Sequence, residues 1–149
     1  MNRDEEWMRL ALKQANKAEE EGEVPVGAVL IKDGIVFAQA HNQPISTNDA
    51  TAHAEIQLLR SAGKLLNNYR LINTTMYITL EPCIMCLGAI LNARISKIVF
   101  GAYDNKKGAC GSHFNLLDET KNNHKPIIVG GILELESKQL LQSFFKSRR

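Results

Sequence analysis

The chain has 149 residues, of which 44% are hydrophobic and 23% are charged, and its formal net charge is +2 at pH 7. This composition is typical of a globular protein with its own core, so we expect a single domain over residues 1–149 and exclude a disordered chain. No apolar run approaches the roughly 20 residues that a membrane helix needs, and the charged N-terminus lacks the apolar segment of a signal peptide. We therefore expect a cytoplasmic protein with no membrane partner, whose three cysteines stay reduced.

The first part of the chain predicts a helix followed by a β-hairpin. Apolar positions within residues 7–18 recur at helical spacing, and Gly22 ends this helix. Residues 24–42 then contain two apolar runs joined at Asp33-Gly34, a dipeptide that is a strong signal for a hairpin turn. Two antiparallel strands are therefore expected directly after the first helix.

The rest of the chain alternates between predicted helices and strands. Asp49 and Thr51 end a polar loop, and either side chain would cap the helix that follows. Pro82 suits the first turn of a later helix, because its ring fixes a helical φ angle. The predicted elements are helices over residues 52–63, 83–94 and 136–149 and strands over residues 74–80, 96–102 and 125–133. Strands that alternate with helices after a hairpin indicate an α/β fold, layered around a mixed sheet.

Two cysteines three residues apart, Cys83 and Cys86, are the first candidates for chemistry. A redox-active pair is expected after the first strand of a βαβ unit, whereas this pair comes late and follows Glu81-Pro82. A zinc ribbon would need a second Cys-x-x-Cys pair, which the sequence lacks. Histidines stand at positions 41, 53, 113 and 124, and only His53 lies at the start of a predicted helix.

The segment His53-Ala54-Glu55, followed by Pro82-Cys83-Ile84-Met85-Cys86, resembles the signature of zinc nucleobase deaminases. The resemblance implies one zinc ion per chain, held by His53, Cys83 and Cys86, with water at the fourth tetrahedral position. It makes Glu55 the catalytic residue, which carries protons from this water to the substrate and to the departing amine. Alone, His53 would be a capping or core residue and Glu55 a solvated one. Both halves in the right order favour the catalytic interpretation.

Helix geometry is consistent with this arrangement. Residues i and i+2 lie about 200° apart around a helix, so His53 and Glu55 converge only if the helix directs its N-terminus at the site. The same holds for Cys83 and Cys86 at the start of their own helix. Two helix N-termini that face one zinc ion would also favour thiolate and hydroxide.

Beyond the signature, nearly the whole chain resembles the bacterial tRNA-specific adenosine deaminases. The similar stretches include "EVPVGAVL", "DATAHAEI", "NYRLINTTMYITLEPCIMCLGAI", "VFGAYDNKKGACGS" and "LLQSFFKSRR". The resemblance implies a cytidine deaminase-like, three-layer α/β/α fold with a five-stranded mixed sheet. It implies conversion of the wobble adenosine of an arginine tRNA anticodon to inosine, with release of ammonia. It also implies a homodimer whose partner chain helps to shape the site.

The same resemblance implies which residues contact the RNA. In the family, these contacts come from an asparagine after the second strand, the loop after the fourth strand and the last helix. The corresponding substrate-binding residues are Asn42, Ala54, Asp104, Lys106, Phe145 and Arg149, with Lys107 and Arg148 nearby. An adenine is attacked only when it is unstacked, so neighbouring bases need a stacking surface and phosphates need cations. An exposed Phe145 and the terminal arginines would supply them.

Several of these assignments have simpler explanations. Asn42 would otherwise be a turn residue, one of Phe144 and Phe145 would belong to the core, and the lysines would be solvated. Two other functions stay open: deamination of free guanine or another small nucleobase, and RNA binding by a non-catalytic subunit with structural zinc. The intact Glu55 and the missing fourth protein ligand argue against the second. Cys110 receives no role.

Overall fold

The computed structural model of the chain describes residues 3–119 and 124–148. Its helices are α1 (Asp4–Glu20), α2 (Pro44–Thr47), α3 (Ala54–Leu66), α4 (Ile84–Ala93), α5 (Leu116–Glu119) and α6 (Glu134–Ser147). Its strands are β1 (Gly27–Lys32), β2 (Ile35–His41), β3 (Thr74–Leu80), β4 (Lys97–Ala102) and β5 (Ile127–Val129). Within these two stretches, no helix has both the length and the apolar character to cross a membrane.

The five strands form one mixed sheet in the order β2-β1-β3-β4-β5. Strand β1 pairs antiparallel with β2 and β3, whereas β3, β4 and β5 are parallel to one another. The β1–β2 hairpin turns at Asp33-Gly34 as predicted, and both residues have the positive φ angles, 53° and 74°, that such a tight turn needs. Helix α4 connects β3 to β4, because parallel neighbours need a crossover.

Helices cover both faces of the sheet, which confirms the predicted α/β/α layering. On one face, α3 and α4 pack against alternate strand residues such as Leu30, Met76 and Phe100. On the other face, α1 packs through Trp7 and Met8 on the residues in between. Helix α6 lies on this second face, where the side chain of its Ser137 abuts Gly101 of β4. The period of two along each strand therefore divides the apolar residues between two cores.

The parallel strands β3 and β4 determine where the chemistry is located. The chain leaves β3 after Leu80 and leaves β4 after Ala102, and these two residues pair with each other. Both exits therefore lie at the same edge of the sheet. The first exit leads to the Cys-x-x-Cys pair, and the second leads to the loop that contains Asp104 and Lys106.

The predicted cap of α3 was wrong. Neither Asp49 nor Thr51 caps this helix, because one Asp49 carboxylate oxygen accepts hydrogen bonds from the Thr51 amide and hydroxyl, at 2.8 and 2.7 Å. The N-cap is His53. Pro82 is likewise not in the first turn of α4, because it precedes the N-cap residue Cys83.

Two further boundaries differ from the prediction. Strand β5 has only three residues, because the chain turns at Gly130-Gly131, where Gly131 has a φ of 85°. The apolar residues after this turn, Ile132 and Leu133, pack against the core on the α1 side instead of extending the strand. The loop before α3 was predicted to be irregular but contains the short helix α2.

Candidate metal centre and substrate pocket

The candidate metal ligands occupy equivalent positions at the start of two helices. His53 is the N-cap of α3 and Cys83 is the N-cap of α4, both with extended backbone angles. Neither side chain makes the capping hydrogen bond that an N-cap side chain usually makes. Cys86 follows in the first turn of α4. The two helices therefore present their N-termini to one site, which is the geometry that the spacing required.

The distances between the ligand atoms fit a metal ion. His53 Nδ1 lies 3.7 Å from Cys83 Sγ and 3.4 Å from Cys86 Sγ. A tetrahedral zinc ion with Zn–N of about 2.0 Å and Zn–S of about 2.3 Å separates its nitrogen and sulfur ligands by about 3.5 Å. In residues 3–119 and 124–148, these three residues are the one group of His, Cys, Asp or Glu close enough to share an ion. Three ligands leave one tetrahedral position for a small molecule.

Hydrogen bonds among the three candidate ligands shift the pKa of each of them. Hydrogen bonds from the Cys86 thiol and from His53 lower the pKa of Cys83 to about 4. Since Cys86 is the donor to this thiolate and is buried, its own pKa is raised. The bond to Cys83 also raises the pKa of His53. The lowered pKa of Cys83 favours its thiolate, which is the form of cysteine that binds a metal ion.

Glu55 lies in the first turn of α3, beside the ligands, and is only 4% exposed. Burial, together with the negative charge of Cys83, raises the pKa of its carboxyl to about 7. A carboxyl with a pKa near neutral both takes up and releases protons under ordinary conditions. This is the property that a proton carrier needs.

Asn42 connects the end of β2 to the start of α3. Its side-chain oxygen accepts a hydrogen bond of 2.7 Å from the Ala54 backbone N–H, so Asn42 takes over the capping role that His53 gives up. Asn42 lies in the pocket wall, as a base-contacting residue would. The Ala54 side chain is fully buried and its N–H is engaged by Asn42. A substrate contact by Ala54 stays a prediction.

The loop after β4 also lines the pocket and contributes Asp104, Lys106 and Lys107 to the wall. One carboxylate oxygen of Asp104 accepts hydrogen bonds from the backbone N–H groups of Lys106 and Lys107, at 3.0 and 3.2 Å. Asp104 therefore orders its own loop, and the side chains of both lysines are exposed. Their contact with RNA stays a prediction.

The last helix distinguishes between its two adjacent phenylalanines. Phe144 is buried, and the Arg148 guanidinium lies over its ring at 4.3 Å. Phe145 is 49% exposed and lines the pocket. This agrees with the expectation that one of them belongs to the core and the other to the surface. Arg149, the remaining predicted contact, lies outside the described residues.

The pocket that contains these groups has a volume of about 610 Å³. Its floor holds His53, Glu55 and Cys83, and its walls include Asn42 and Lys106. A second cavity of about 900 Å³ adjoins it and shares its rim residues Tyr103, Asn105, Lys106, Leu141 and Phe145. The site is therefore the inner end of a longer groove.

Two residues were not singled out from the sequence: Glu23, which precedes the pocket residue Val24, and Tyr103, which lines the pocket. Glu23 is buried, and its carboxylate accepts hydrogen bonds from the backbone N–H groups of Ile45 and Ser46, at 3.1 and 2.7 Å. Glu23 closes the charged run of residues 19–23, directly before the apolar stretch that starts at Val24, so no local pattern distinguishes it from a solvated glutamate. Tyr103 is half-exposed at the rim, with its ring edge-on to Phe100 at 5.0 Å. No local pattern distinguishes it from a surface tyrosine.

Two other histidines and the third cysteine lie in different surroundings. His41 contacts Gln14 and Glu21, and His124 contacts the Ile95 carbonyl oxygen. Burial raises the pKa of Cys110 to about 12, which keeps its thiol protonated and unreactive.

Known proteins resemble this chain over most of its length. Residues 2–149 match the model of the MafB19-like deaminase family. The tRNA-specific adenosine deaminase of Haemophilus influenzae is 51% identical over 147 residues, which cover 98% of this chain and 85% of that protein. A solved structure from studies of A-to-I editing by tRNA:A34 deaminases has a TM-score of 0.85 at 42% identity, covering 91% of this chain and 99% of that chain. The solved structure of the guanine deaminase of Bacillus subtilis has a TM-score of 0.65 at 39% identity, and the match covers 69% of this chain and 66% of that chain.

Proposed function

The chain belongs to the MafB19-like deaminase family and to the tRNA-specific adenosine deaminases, and on this basis we propose that it converts the wobble adenosine of a tRNA anticodon to inosine. The reaction consumes one water molecule and releases ammonia. One observation carries the proposal: two residues of the three-ligand cluster, His53 and Cys83, line the same pocket as the buried Glu55, and Phe145 and two lysines line it as well. The floor supports deamination, and the wall supports an RNA substrate.

We propose zinc as the metal. Its preferred ligands are thiolate and imidazole, and the nitrogen–sulfur separations of 3.4 and 3.7 Å between His53 and the two cysteines match its tetrahedral geometry. When bound, zinc supplies the Lewis acid that makes water nucleophilic near neutral pH. His53, Cys83 and Cys86 would hold it, and His53 and Cys83 line the same pocket as Glu55.

Glu55 moves the protons of the reaction. Its carboxylate oxygen accepts one proton from the attacking water as the water oxygen bonds to C6 of adenine, and returns that proton to N1 of the ring. It then accepts the second proton of the same oxygen and passes it to the 6-amino group. The C6–N bond breaks, ammonia leaves and C6 becomes the carbonyl of inosine. The raised pKa of this carboxyl matches both directions of transfer.

Single-stranded RNA explains the outer part of the pocket. A loop nucleotide enters the pocket only if its base leaves the stack, and the neighbouring bases then need a new partner. The half-exposed Phe145 offers a stacking face, and Lys106 and Lys107 offer charge for the phosphates. A free base needs neither, so these residues favour RNA over the alternative of a guanine deaminase.

We also propose a homodimer, on the basis of the resemblance to the family and of an open groove between α3 and α4. Leu59 of α3 and Ala89 of α4 line this groove together with the exposed Tyr69. These two helices also position the candidate metal ligands. Light scattering of the purified protein distinguishes a dimer from a monomer of 16.6 kDa.

The substrate is tested directly. The pure zinc-loaded protein is incubated with a transcribed arginine tRNA, its anticodon stem-loop, free adenine and free guanine, and inosine and ammonia are measured. We expect inosine at the wobble position of both RNAs, and no ammonia from the free bases. Ammonia from guanine with none from RNA would replace the proposal by the small-base alternative. RNA binding without any deamination would support the non-catalytic alternative.

A further inference from the structure

Glu81 is a buried carboxylate at the edge of the pocket, and the proton-transfer chemistry does not use it. It follows the last residue of β3 and is 2% exposed. One of its carboxylate oxygens accepts a hydrogen bond of 3.0 Å from the Asp104 backbone N–H. The other accepts bonds from the N–H groups of Cys110 and Ser112, at 3.0 and 3.2 Å. One side chain therefore binds both ends of the loop of residues 104–112, the substrate loop.

The same loop is joined to the metal-bearing turn by backbone contacts. The Ala109 N–H donates to the Pro82 carbonyl oxygen at 2.9 Å, and Gly108 forms a β-bridge with Cys83. Gly108 lies directly on the Glu81 carboxyl group: a Cβ atom there would be 2.4 Å from Glu81 Cδ. The substrate loop and the segment that presents Cys83 are thus one packed unit, with the Glu81 carboxylate at its centre.

Hydrogen bonds continue from Glu81 to the lysines of the pocket wall. Glu81 fixes the Asp104 backbone, and the Asp104 carboxylate in turn accepts the N–H groups of Lys106 and Lys107. In each of these hydrogen bonds a carboxylate accepts from a backbone N–H group, and such charge-assisted bonds are stronger than bonds between neutral groups. The position of the two lysines relative to the metal ligands therefore depends on a residue that touches neither.

We propose that Glu81 is a positioning residue: it holds the substrate loop, with Lys106 and Lys107, in register with the metal site so that the RNA meets a preformed wall. This inference rests on the proposed function, since it assigns the loop to RNA binding. Its physical basis is the carboxylate form. Glu81→Gln keeps the shape but places an NH₂ group against at least one backbone N–H, because both oxygens are acceptors in the native protein.

The test is steady-state deamination of the anticodon stem-loop by zinc-loaded protein. We expect Glu81→Gln to raise KM by at least tenfold while kcat changes less than threefold and zinc stays at one per chain. A merely structural role would lower the active fraction, and with it kcat, at unchanged KM. Asp4→Asn is the matched control: Asp4 is also a buried carboxylate, bonded to the Tyr77 hydroxyl, and we expect its KM to be native.

Gly108→Ala tests the same contact from the loop side. The new methyl group displaces the Glu81 carboxylate, so this variant should show the same rise in KM, and it decides the question if Glu81→Gln does not fold. Hydrogen exchange gives a second readout: the amides of Asp104, Cys110 and Ser112 should exchange at least tenfold faster in Glu81→Gln and at the native rate in Asp4→Asn.

The outcomes separate this inference from the proposed function. If the native protein does not deaminate the stem-loop, the proposed function fails, and the hydrogen-exchange result alone decides whether Glu81 holds the loop. If the native protein is active and Glu81→Gln has a native KM, or loses kcat without a change in KM, the positioning role is overturned.

Discussion

Replacement of Glu55 by glutamine tests the mechanism most directly. The change removes the proton carrier but leaves His53 and both cysteines in place, and it keeps the shape of the side chain. General acid–base catalysis by one positioned group contributes about 10²- to 10⁴-fold, or about 3–5 kcal/mol at about 1.36 kcal/mol per tenfold. We therefore expect single-turnover inosine formation to fall by that factor at saturating RNA, with zinc content and RNA affinity unchanged.

The stability of this variant should move in the opposite direction. Burial raises the pKa of Glu55 from 4.5 to about 7, and such a shift corresponds to about 3 kcal/mol between the two protonation states. Because the folded pKa is the higher one, the ionised carboxylate costs stability above about pH 7, and this cost disappears as the pH falls below the unfolded value. In chelated, metal-free protein, Glu55→Gln should thus gain unfolding free energy relative to native protein, and more at pH 8 than at pH 5.

One control variant and two refuting outcomes make the result decisive. Glu20→Gln, on the exposed side of α1, changes the same functional group away from the site and should leave both turnover and stability at native values. Turnover by Glu55→Gln within tenfold of native would refute the proton-carrier role. Unfolding free energy below native at pH 8 would refute the statement that the buried carboxylate is costly.

Other predictions follow from the ligands and from the pocket wall. Cys83→Ala should lose both zinc and folding stability, since metal binding is coupled to folding. X-ray absorption of the native protein should show one nitrogen and two sulfur ligands from the protein plus one oxygen ligand. Four sulfur ligands would contradict the proposed site. Phe145→Ala should weaken stem-loop binding by about 1–3 kcal/mol at an unchanged thermal midpoint, whereas Phe144→Ala should cost about 3–5 kcal/mol of stability instead; equal effects on both would contradict the assignment of one ring to each role. Lys106→Ala and Lys107→Ala should each reduce the salt dependence of RNA binding by about one in the log–log slope, and a native slope in both would exclude phosphate contacts there.

Local rules predicted the parts of the fold that depend on neighbouring residues. The Asp33-Gly34 turn was predictable because two successive positive φ angles are a local demand that few residue pairs meet. The strand over residues 74–80 has the predicted bounds of β3, since β-branched and aromatic residues fill it. The converging ligands were predictable for a similar reason: each half of the signature lies within one helical turn. Only the meeting of the two halves required the resemblance.

Sequence reasoning missed one local contact, that of Asp49, and several contacts between residues that are far apart in the chain. Asp49 looked like a helix cap, but its oxygen is taken by Thr51, and the capping oxygen comes from Asn42, twelve positions before Ala54. Glu81 bonds to backbone groups between 23 and 31 residues away. No window along the chain reveals such contacts, because they exist only after β3 and β4 have paired.

The placement of the metal ligands at two helix N-caps has a consequence for chain entropy. His53 and Cys83 stand 30 positions apart in sequence, yet their ligand atoms lie 3.7 Å apart. A covalent cross-link that closes a loop of this length lowers the conformational entropy of the unfolded chain, and this stabilises the folded state by about 3–4 kcal/mol. All cysteines of this protein are free thiols. An ion bound by both His53 and Cys83 would act as a reversible cross-link of that kind. Removal of the ion by a chelator would then destabilise the folded protein, as reduction of a disulfide destabilises a secreted protein.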